Sequence, residues 1–275
     1  MNISILILTY DEAINLADCL SSVKFSDDLV VLDSGSTDGT VQLAESAGAT
    51  VLQRPFDNYA AQRNFGLAYN FKHDWVLMLD ADERIPKGFV KEIRKVTDRR
   101  EDPVTLYRMR RKDMFMGRWL KRSSGYPTWF GRLFRKGRVS VEREINEEYY
   151  TDGEVGMLEG HLIHYPFNKG IEYWIERHNS YSSMEAKRLL KERESPVAWS
   201  GFLSKDPMLR RKAFKQFAYR VPCRPWFTFC FLYIAKLGFL DGLPGFQFSL
   251  MRATYEFMIS MKMRELKREE KKLPI

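Results

Sequence analysis

Through its first hundred residues the chain alternates between two hydrophobic periodicities. Ile3 to Tyr10 is a short, nearly continuous apolar run, the pattern of a strand buried on both faces. Glu12 to Val23 then places Ile14, Ala17, Leu20 and Val23 at helical spacing. The alternation repeats. Strands are predicted over Leu29 to Ser34, Ala49 to Arg54 and Trp75 to Asp80. Helices are predicted over Asp38 to Ala47, Tyr59 to Phe71, and onward from Pro86, where Pro suits an early helical position. Strand and helix in turn predict an α/β fold with a mainly parallel sheet covered on both faces. In such sheets ligands bind beyond the carboxyl ends of the strands. The residues just after each strand are therefore the ones to inspect.

From Thr105 the alternation weakens. Thr105 to Met116, Arg132 to Val139 and Gly153 to His164 read as further strands, and Lys169 to Glu194 as a long charged amphipathic helix. After Pro196 the chain turns basic and aromatic, with Pro222, Pro225 and Pro244 expected to break it into short helices. A domain over residues 1–195 followed by a helical region over 196–275 is the expected organisation.

Composition changes this picture only where it is uneven. With 44% hydrophobic and 29% charged residues, a packed core is expected and disorder is not. The net charge is +8, and between Lys205 and Lys236 eight Lys/Arg stand against the single acid Asp206. Such a block attracts phosphate, in nucleic acid or in anionic lipid. Three cysteines without a C-x-x-C pair point to neither a disulfide framework nor a zinc site, and fit a reducing cytosol. The apolar start lacks a basic n-region and a small-residue cleavage site, so no signal peptide is expected. No apolar run reaches the roughly 18 to 20 residues that span a bilayer. The best, Trp226 to Ala235, ends at Lys236 and suits lying in a membrane better than crossing it.

Three polar clusters follow predicted strands: Thr9-Tyr10-Asp11-Glu12, Asp33-Ser34-Gly35-Ser36-Thr37-Asp38-Gly39-Thr40 and Asp80-Ala81-Asp82-Glu83. Two carboxylates at a strand end suit a hard cation held between protein and diphosphate. They equally suit an acidic cap for the next helix. The Asp33 loop reads either as a capped turn, with Ser36 or Thr37 at the helix start, or as a contact to a base or ribose. It carries neither a G-x-G-x-x-G fingerprint nor a Walker A lysine. Arg63 reads as a solvated helix residue or, given its small and apolar neighbours, as one pointing inward toward a diphosphate. His161 and His164, three apart on a strand, fall on opposite faces, which disfavours a two-His metal site.

In order and spacing, Thr9-Tyr10-x-Glu12, Asp33-Ser34-Gly35-Ser36-x-Asp38, Arg63-Asn64-x-Gly66 and Asp80-x-Asp82 resemble the family 2 glycosyltransferases of the GT-A fold. Arg132-Leu133-Phe134 and Asn146-Glu147, where many relatives have His-Glu, extend the match. His164-Tyr165-Pro166-Phe167, Tyr181-x-x-x-Glu185-Ala186 and Gly238-Phe239-x-Asp241-Gly242-x-Pro244-Gly245 resemble a narrower branch, the lipopolysaccharide inner-core β-glucosyltransferases. The resemblance covers almost the whole chain. It implies a Rossmann-like catalytic domain that binds a nucleoside diphosphate sugar, with UDP favoured. Thr9, Tyr10, Glu12, Asp33, Arg63 and Asp80 would line the nucleotide, and Asp82 would hold Mg²⁺ or Mn²⁺. It further implies inversion at the anomeric carbon, with Glu147 as general base, Glu148 as its alternative, and His164 near donor phosphate or acceptor unless it is simply packed.

The expected reaction is transfer of a hexose, glucose from UDP-glucose in the first place, to a lipid-anchored core oligosaccharide. The expected location is the cytoplasmic face of the inner membrane. The basic residues Arg210, Arg211, Lys212, Lys215, Arg220 and Arg224 beside Trp and Phe suit an anionic leaflet. Alternatives are a polyisoprenyl-phosphate acceptor and a non-catalytic nucleotide-sugar sensor. Nucleic-acid binding is not expected, because no recognition motif accompanies the charge.

Overall fold

In a computed structural model, residues 2–99, 103–142, 148–192, 199–206, 209–210, 213–214, 217 and 223–274 are described. They form two compact units, residues 1–112 with 127–168, and residues 113–126 with 169–275.

The first unit holds the alternating half of the sequence. Strands β1 (Ile3–Thr9), β2 (Leu29–Asp33), β3 (Thr50–Gln53) and β4 (Trp75–Asp80) alternate with helices α1 (Ala13–Ser22), α2 (Thr40–Ser46) and α3 (Tyr59–Leu67). All four strands are parallel, in the order β3-β2-β1-β4, with Thr9 level with Asp33 and Leu8 level with Asp80. The three expected polar clusters therefore share one edge. Side chains alternate across the sheet. Ile3, Ile5 and Ile7 join one buried cluster with Leu16, Leu20, Phe89 and Ile93, while Leu6, Val30, Leu32 and Met78 join another with Phe71.

Beyond β4 the sheet turns antiparallel. The short β5 (Glu83–Arg84) and helix α4 (Lys87–Thr97) follow, then β6 (Val104–Phe115), β7 (Arg118–Trp119), β8 (Trp129–Arg135), β9 (Val139–Glu142), β10 (Glu148–Thr151) and β11 (Glu154–His164). The order continues β4-β8-β6-β11-β5. The expected strand over residues 132–139 is split. Arg138 N–H donates to Arg135 carbonyl across a turn at Lys136-Gly137, and Val139 starts a separate hairpin with β10. No apolar pattern announced β5 or β7, each only two residues long.

The second unit is mostly helical. Helix α5 (Gly170–Glu192) packs through Ala186 and Leu189 on Tyr255, Ile259 and Met263 of the C-terminal helix. The expected boundary near residue 195 lies outside the described residues, and the compact units divide ahead of it, at 168/169. Helix α6 (Arg224–Cys230) runs into a π-turn (Phe231–Ala235) and a 3₁₀ turn (Gly238–Asp241), and then α7 (Leu243–Glu270) begins. Pro222 lies outside the described residues, and the other two prolines mark helix starts rather than interrupt a helix. Pro225 and Pro244 sit in the first turns of α6 and α7, where the missing N–H has no partner to lose. Leu243 to Glu270 is consequently one helix of 28 residues. Among the described residues no helix is long and apolar enough to cross a membrane.

Candidate active site

The loops after β1 and β2 are laced together. Asp33 is almost wholly buried, and both of its carboxylate oxygens are engaged. Oδ1 accepts from the hydroxyls of Thr9 (2.9 Å) and Ser36 (2.5 Å), and Oδ2 from the backbone N–H of Gly35 and Ser36. Ser36 Oγ in turn accepts from Asp11 N–H, and Asp11 Oδ1 accepts from Thr37 N–H. The expected cap at Ser36 or Thr37 is not made: Gly39 is the N-cap and has no side chain to offer, while Asp38 before it accepts from the N–H and hydroxyl of Thr40, the first residue of α2. Asp38 also accepts from Ala13 N–H, tying α1 to the same loop. Glu12 precedes α1 and receives the Asn15 amide, and Tyr10 is exposed beside it.

At the end of β4, two arginines converge on one carboxylate. Arg63 Nη2 donates to Asp80 Oδ1 at 3.0 Å and Arg132 Nη2 to Oδ2 at 2.7 Å. Arg63 is 5% exposed, so it points inward. Arg132 arrives through register. Leu77 lies opposite Leu133, which sets Arg132 of the antiparallel β8 beside the carboxyl end of β4. Beneath them Glu83, fully buried, accepts from Arg132 Nε (3.0 Å), Arg132 Nη2 (2.9 Å) and Asp80 N–H (3.1 Å). Burial alone would raise the Asp80 pKa. The guanidiniums of Arg132 and Arg63, then Arg111 and His164, outweigh it and hold the carboxyl well below the usual carboxylate range.

Asp82 turns the other way. Its Oδ2 lies 3.2 Å from His164 Nε2, and its carbonyl accepts from Tyr165 N–H. The two-residue strand β5 makes this possible, since Glu83 pairs with His164 and Arg84 with Ile163. Arg84 donates to the carbonyls of Ala81, Glu83 and Asn15 and stacks over Tyr165, bracing the acidic turn against α1. The roles of Glu83 and Arg84 had no local signal, because each depends on this distant ladder, and His164 was reached only through its motif resemblance. His161 belongs to another neighbourhood. Partial burial and the charges of Lys112 and Arg110 lower its pKa.

Each residue of Arg63-Asn64-x-Gly66 has a physical task on α3. Asn64 exchanges two hydrogen bonds with the backbone of Val141, pinning β9 to the helix. Gly66 lets α3 press on the sheet, since a Cβ there would stand 2.8 Å from Leu6 Cδ2. Glu147, the expected base, and Asn146 lie outside the described residues. Glu147 immediately precedes β10, the partner strand of β9. The backbone of Glu148 opens β10.

In the second unit, the other motif residues build structure. Asp241 accepts from Arg122 N–H, Ser123 N–H and Ser123 Oγ, all within 2.9 Å. A Cβ on Gly245 would stand 2.3 Å from Gly238 carbonyl oxygen. Tyr181 and Glu185 bond Arg177 and Arg188 on their own helix. Arg224, expected among the basic residues that suit an anionic leaflet, is instead buried in an ion pair with Glu256. Arg211, Lys212, Lys215 and Arg220 lie outside the described residues. Cys19 is buried, Cys223 and Cys230 are exposed, and all three are free thiols.

A parallel half-sheet continued by antiparallel strands, with polar loops after β1, β2 and β4, is the GT-A class of transferase fold. Residues 4–157 match Glycosyl transferase family 2, and the chain belongs to that family. It is a glycosyltransferase. An uncharacterized glycosyltransferase of Rickettsia prowazekii is 28% identical over 278 residues, covering 96% of this chain and 87% of that one. The lipopolysaccharide core biosynthesis glycosyltransferase LpsC of Rhizobium meliloti is 26% identical over 94% of this chain and 91% of its own. The mannosyltransferase PcManGT from Pyrobaculum calidifontis, solved with GDP-Man and Mn2+, superposes with a TM-score of 0.51. It covers 95% of this chain and 86% of that one, at 13% identity, and shares the fold.

Proposed function

We propose that this glycosyltransferase moves a hexose, glucose from UDP-glucose in the first place, to a lipid-anchored oligosaccharide of the lipopolysaccharide-core type, with inversion. The observation that carries the donor half of this reading is the split of Asp80 and Asp82. Asp80 is neutralised by Arg63 and Arg132, whereas Asp82 faces an imidazole. The likeness to LpsC over nearly the full chain supports the acceptor half.

In this reading Thr9, Tyr10, Glu12, Asp33, Arg63 and Asp80 surround the nucleotide. Asp33 acts by shaping the loop and Arg63 by presenting positive charge from beneath. The donor set at the acidic turn fits a divalent metal. A carboxylate and an imidazole lie together, and among the described residues no group of three His, Cys, Asp or Glu could hold an ion unaided. Donor diphosphate oxygens would complete such a site, and the oxygen ligands are those that Mg²⁺ and Mn²⁺ favour. Asp82 and His164 would hold the ion, and its chemistry is Lewis-acid neutralisation of the leaving diphosphate. The acceptor hydroxyl oxygen bonds to the anomeric carbon on the face opposite the departing diphosphate. Its proton passes to Glu147 as general base, and the nucleoside diphosphate leaves with the electrons of the broken C–O bond.

The test is nucleoside diphosphate release by the purified chain in detergent. UDP-, GDP- and dTDP-sugars are offered with Mg²⁺ or Mn²⁺ and extracted lipopolysaccharide core. Release from UDP-glucose, stimulated by acceptor, is expected to fall about 100-fold or more in Asp82→Ala and Glu147→Gln. Silence with every donor, alongside metal-independent nucleotide binding, would leave a sensor in place of an enzyme.

A further inference from the structure

An ordinary surface helix buries one stripe and turns a polar face to water. Helix α7 departs from this. Its inner side is packed through Gly245, Ser249, Ile259 and Met263, yet its outer side carries Leu243, Phe246, Leu250, Phe257 and Met261. These five recur at intervals of three, four, seven and four, so they form one line along the helix. All are between 39% and 66% exposed, Phe246 the least, its ring lying edge-on to Phe229 and Tyr233 at one flank of the line. The line runs roughly 27 Å at 1.5 Å per residue, and Phe239 and Leu240 of the preceding turn, both exposed, extend it. An apolar surface of this length on a solvent-facing helix calls for a partner.

The ends of the line indicate which partner. At its start the Arg118 guanidinium reaches over Gly242, 3.1 Å from where a Cβ would stand. The backbone of exposed Arg122 is fastened to Asp241 in the same turn. Past Met261 the helical spacing continues through exposed Arg264 and Arg268. From Arg264 to Lys272 five basic residues outnumber three glutamates. A second copy laid on the line, parallel or antiparallel, would bring basic end against basic end. An anionic leaflet meets both ends with opposite charge and the middle with acyl chains.

We infer that the outer face of α7 is a membrane-docking surface that lies in the plane of an anionic leaflet, with Leu243 to Met261 sunk between the headgroups and basic residues at either end on the phosphates. This deepens the reading of a lipid-anchored acceptor and rests on it. The sequence alone drew attention to the block over residues 205–236, part of which lies outside the described residues; α7 adds a longer and more regular apolar line.

The test is flotation of the full chain with vesicles of phosphatidylglycerol and phosphatidylethanolamine, or of phosphatidylcholine alone. Binding to the anionic vesicles is expected, weakened by salt and by neutral lipid. The double variant Leu250→Glu/Phe257→Glu is expected to bind at least tenfold more weakly. Both positions are exposed, so its melting temperature and circular dichroism should match those of the wild type. Transfer to a delipidated core oligosaccharide should be unchanged in the variant, while transfer to vesicle-embedded acceptor falls. Equal vesicle binding by wild type and variant would overturn the inference. So would a dimer in sedimentation velocity that the variant dissociates, with no vesicle binding by either protein. Stripe-dependent vesicle binding without turnover on any acceptor would instead sustain the docking surface and remove the proposed reaction.

Discussion

Asp80 and Glu83 stand three residues apart, and a single guanidinium, that of Arg132, bonds both. Removing one partner of a buried, hydrogen-bonded charge set leaves the rest uncompensated, which costs about 3–5 kcal/mol. Arg132→Ala is expected to lose that much stability, read from the denaturant midpoint at unchanged slope. Arg111, 3.8 Å from Glu83 Oε1, keeps the loss toward the lower end. At this scale the sequence left alternatives that only contacts resolve. Arg63 read either as solvated or as inward-pointing, and its burial against Asp80 decides for the second. His164 entered only through its motif resemblance, because its partner Asp82 becomes adjacent only through the Glu83–His164 ladder pair.

Among the elements, α3 connects the most parts of the site. Asn58 caps it by accepting from Ala61 N–H at 2.8 Å, and five residues later the helix presents Arg63. Asn58→Ala should cost about 1 kcal/mol and loosen Arg63 from Asp80. A lower melting temperature, with hydrogen exchange rising first in residues 59–63, would check this. Strand β11 makes the opposite demand, for emptiness. A Cβ at Gly160 would fall 1.9 Å from Phe89 Cδ2, in the core beneath α4. Gly160→Ala is expected to destabilise by about 1–3 kcal/mol through forced repacking, whereas Gly88→Ala, where nothing lies within 4 Å, should not. Periodicity found β1, β2 and β4 because each is largely apolar, while the shorter β3 offered only Val51 and Leu52 between Thr50 and Gln53. It missed β5 and β7, since two residues carry no period.

For the whole molecule, acid stability and truncation follow from the second unit. His178 stacks on Trp174 at 3.6 Å, bonds Trp174 carbonyl and faces Tyr181, Tyr255, Arg252 and Arg177. Burial, with help from both arginines, pushes its pKa down to about 4. The unfolded chain takes up this proton near pH 6.5 and the folded chain resists until about 4. Stability is therefore full above 6.5 and falls as pH descends between those values, by at most ~3 kcal/mol. Unfolding midpoints at pH 7.5 and 5 should differ more in the wild type than in His178→Phe. A chain ended at Asn168 keeps the strands of the first unit but strips residues 113–126 of Asp241. Limited proteolysis is expected to cut that segment in the shortened chain and spare it in the full one.

What the sequence determined by itself was local or periodic: the alternating half-sheet, the edge on which the polar loops gather and the family. These need only a hydrophobic period, a strand end or a short motif to declare them. What the tertiary structure decided was everything set by long-range register and by helix continuity. It sat Arg132 and Glu83 under Asp80, brought His164 to Asp82, buried Arg224 against Glu256, and made Pro244 the beginning of a long helix. Such outcomes depend on which segments become neighbours, and the free energy that selects those neighbours is spread over the whole packed core, beyond the reach of any short window of residues.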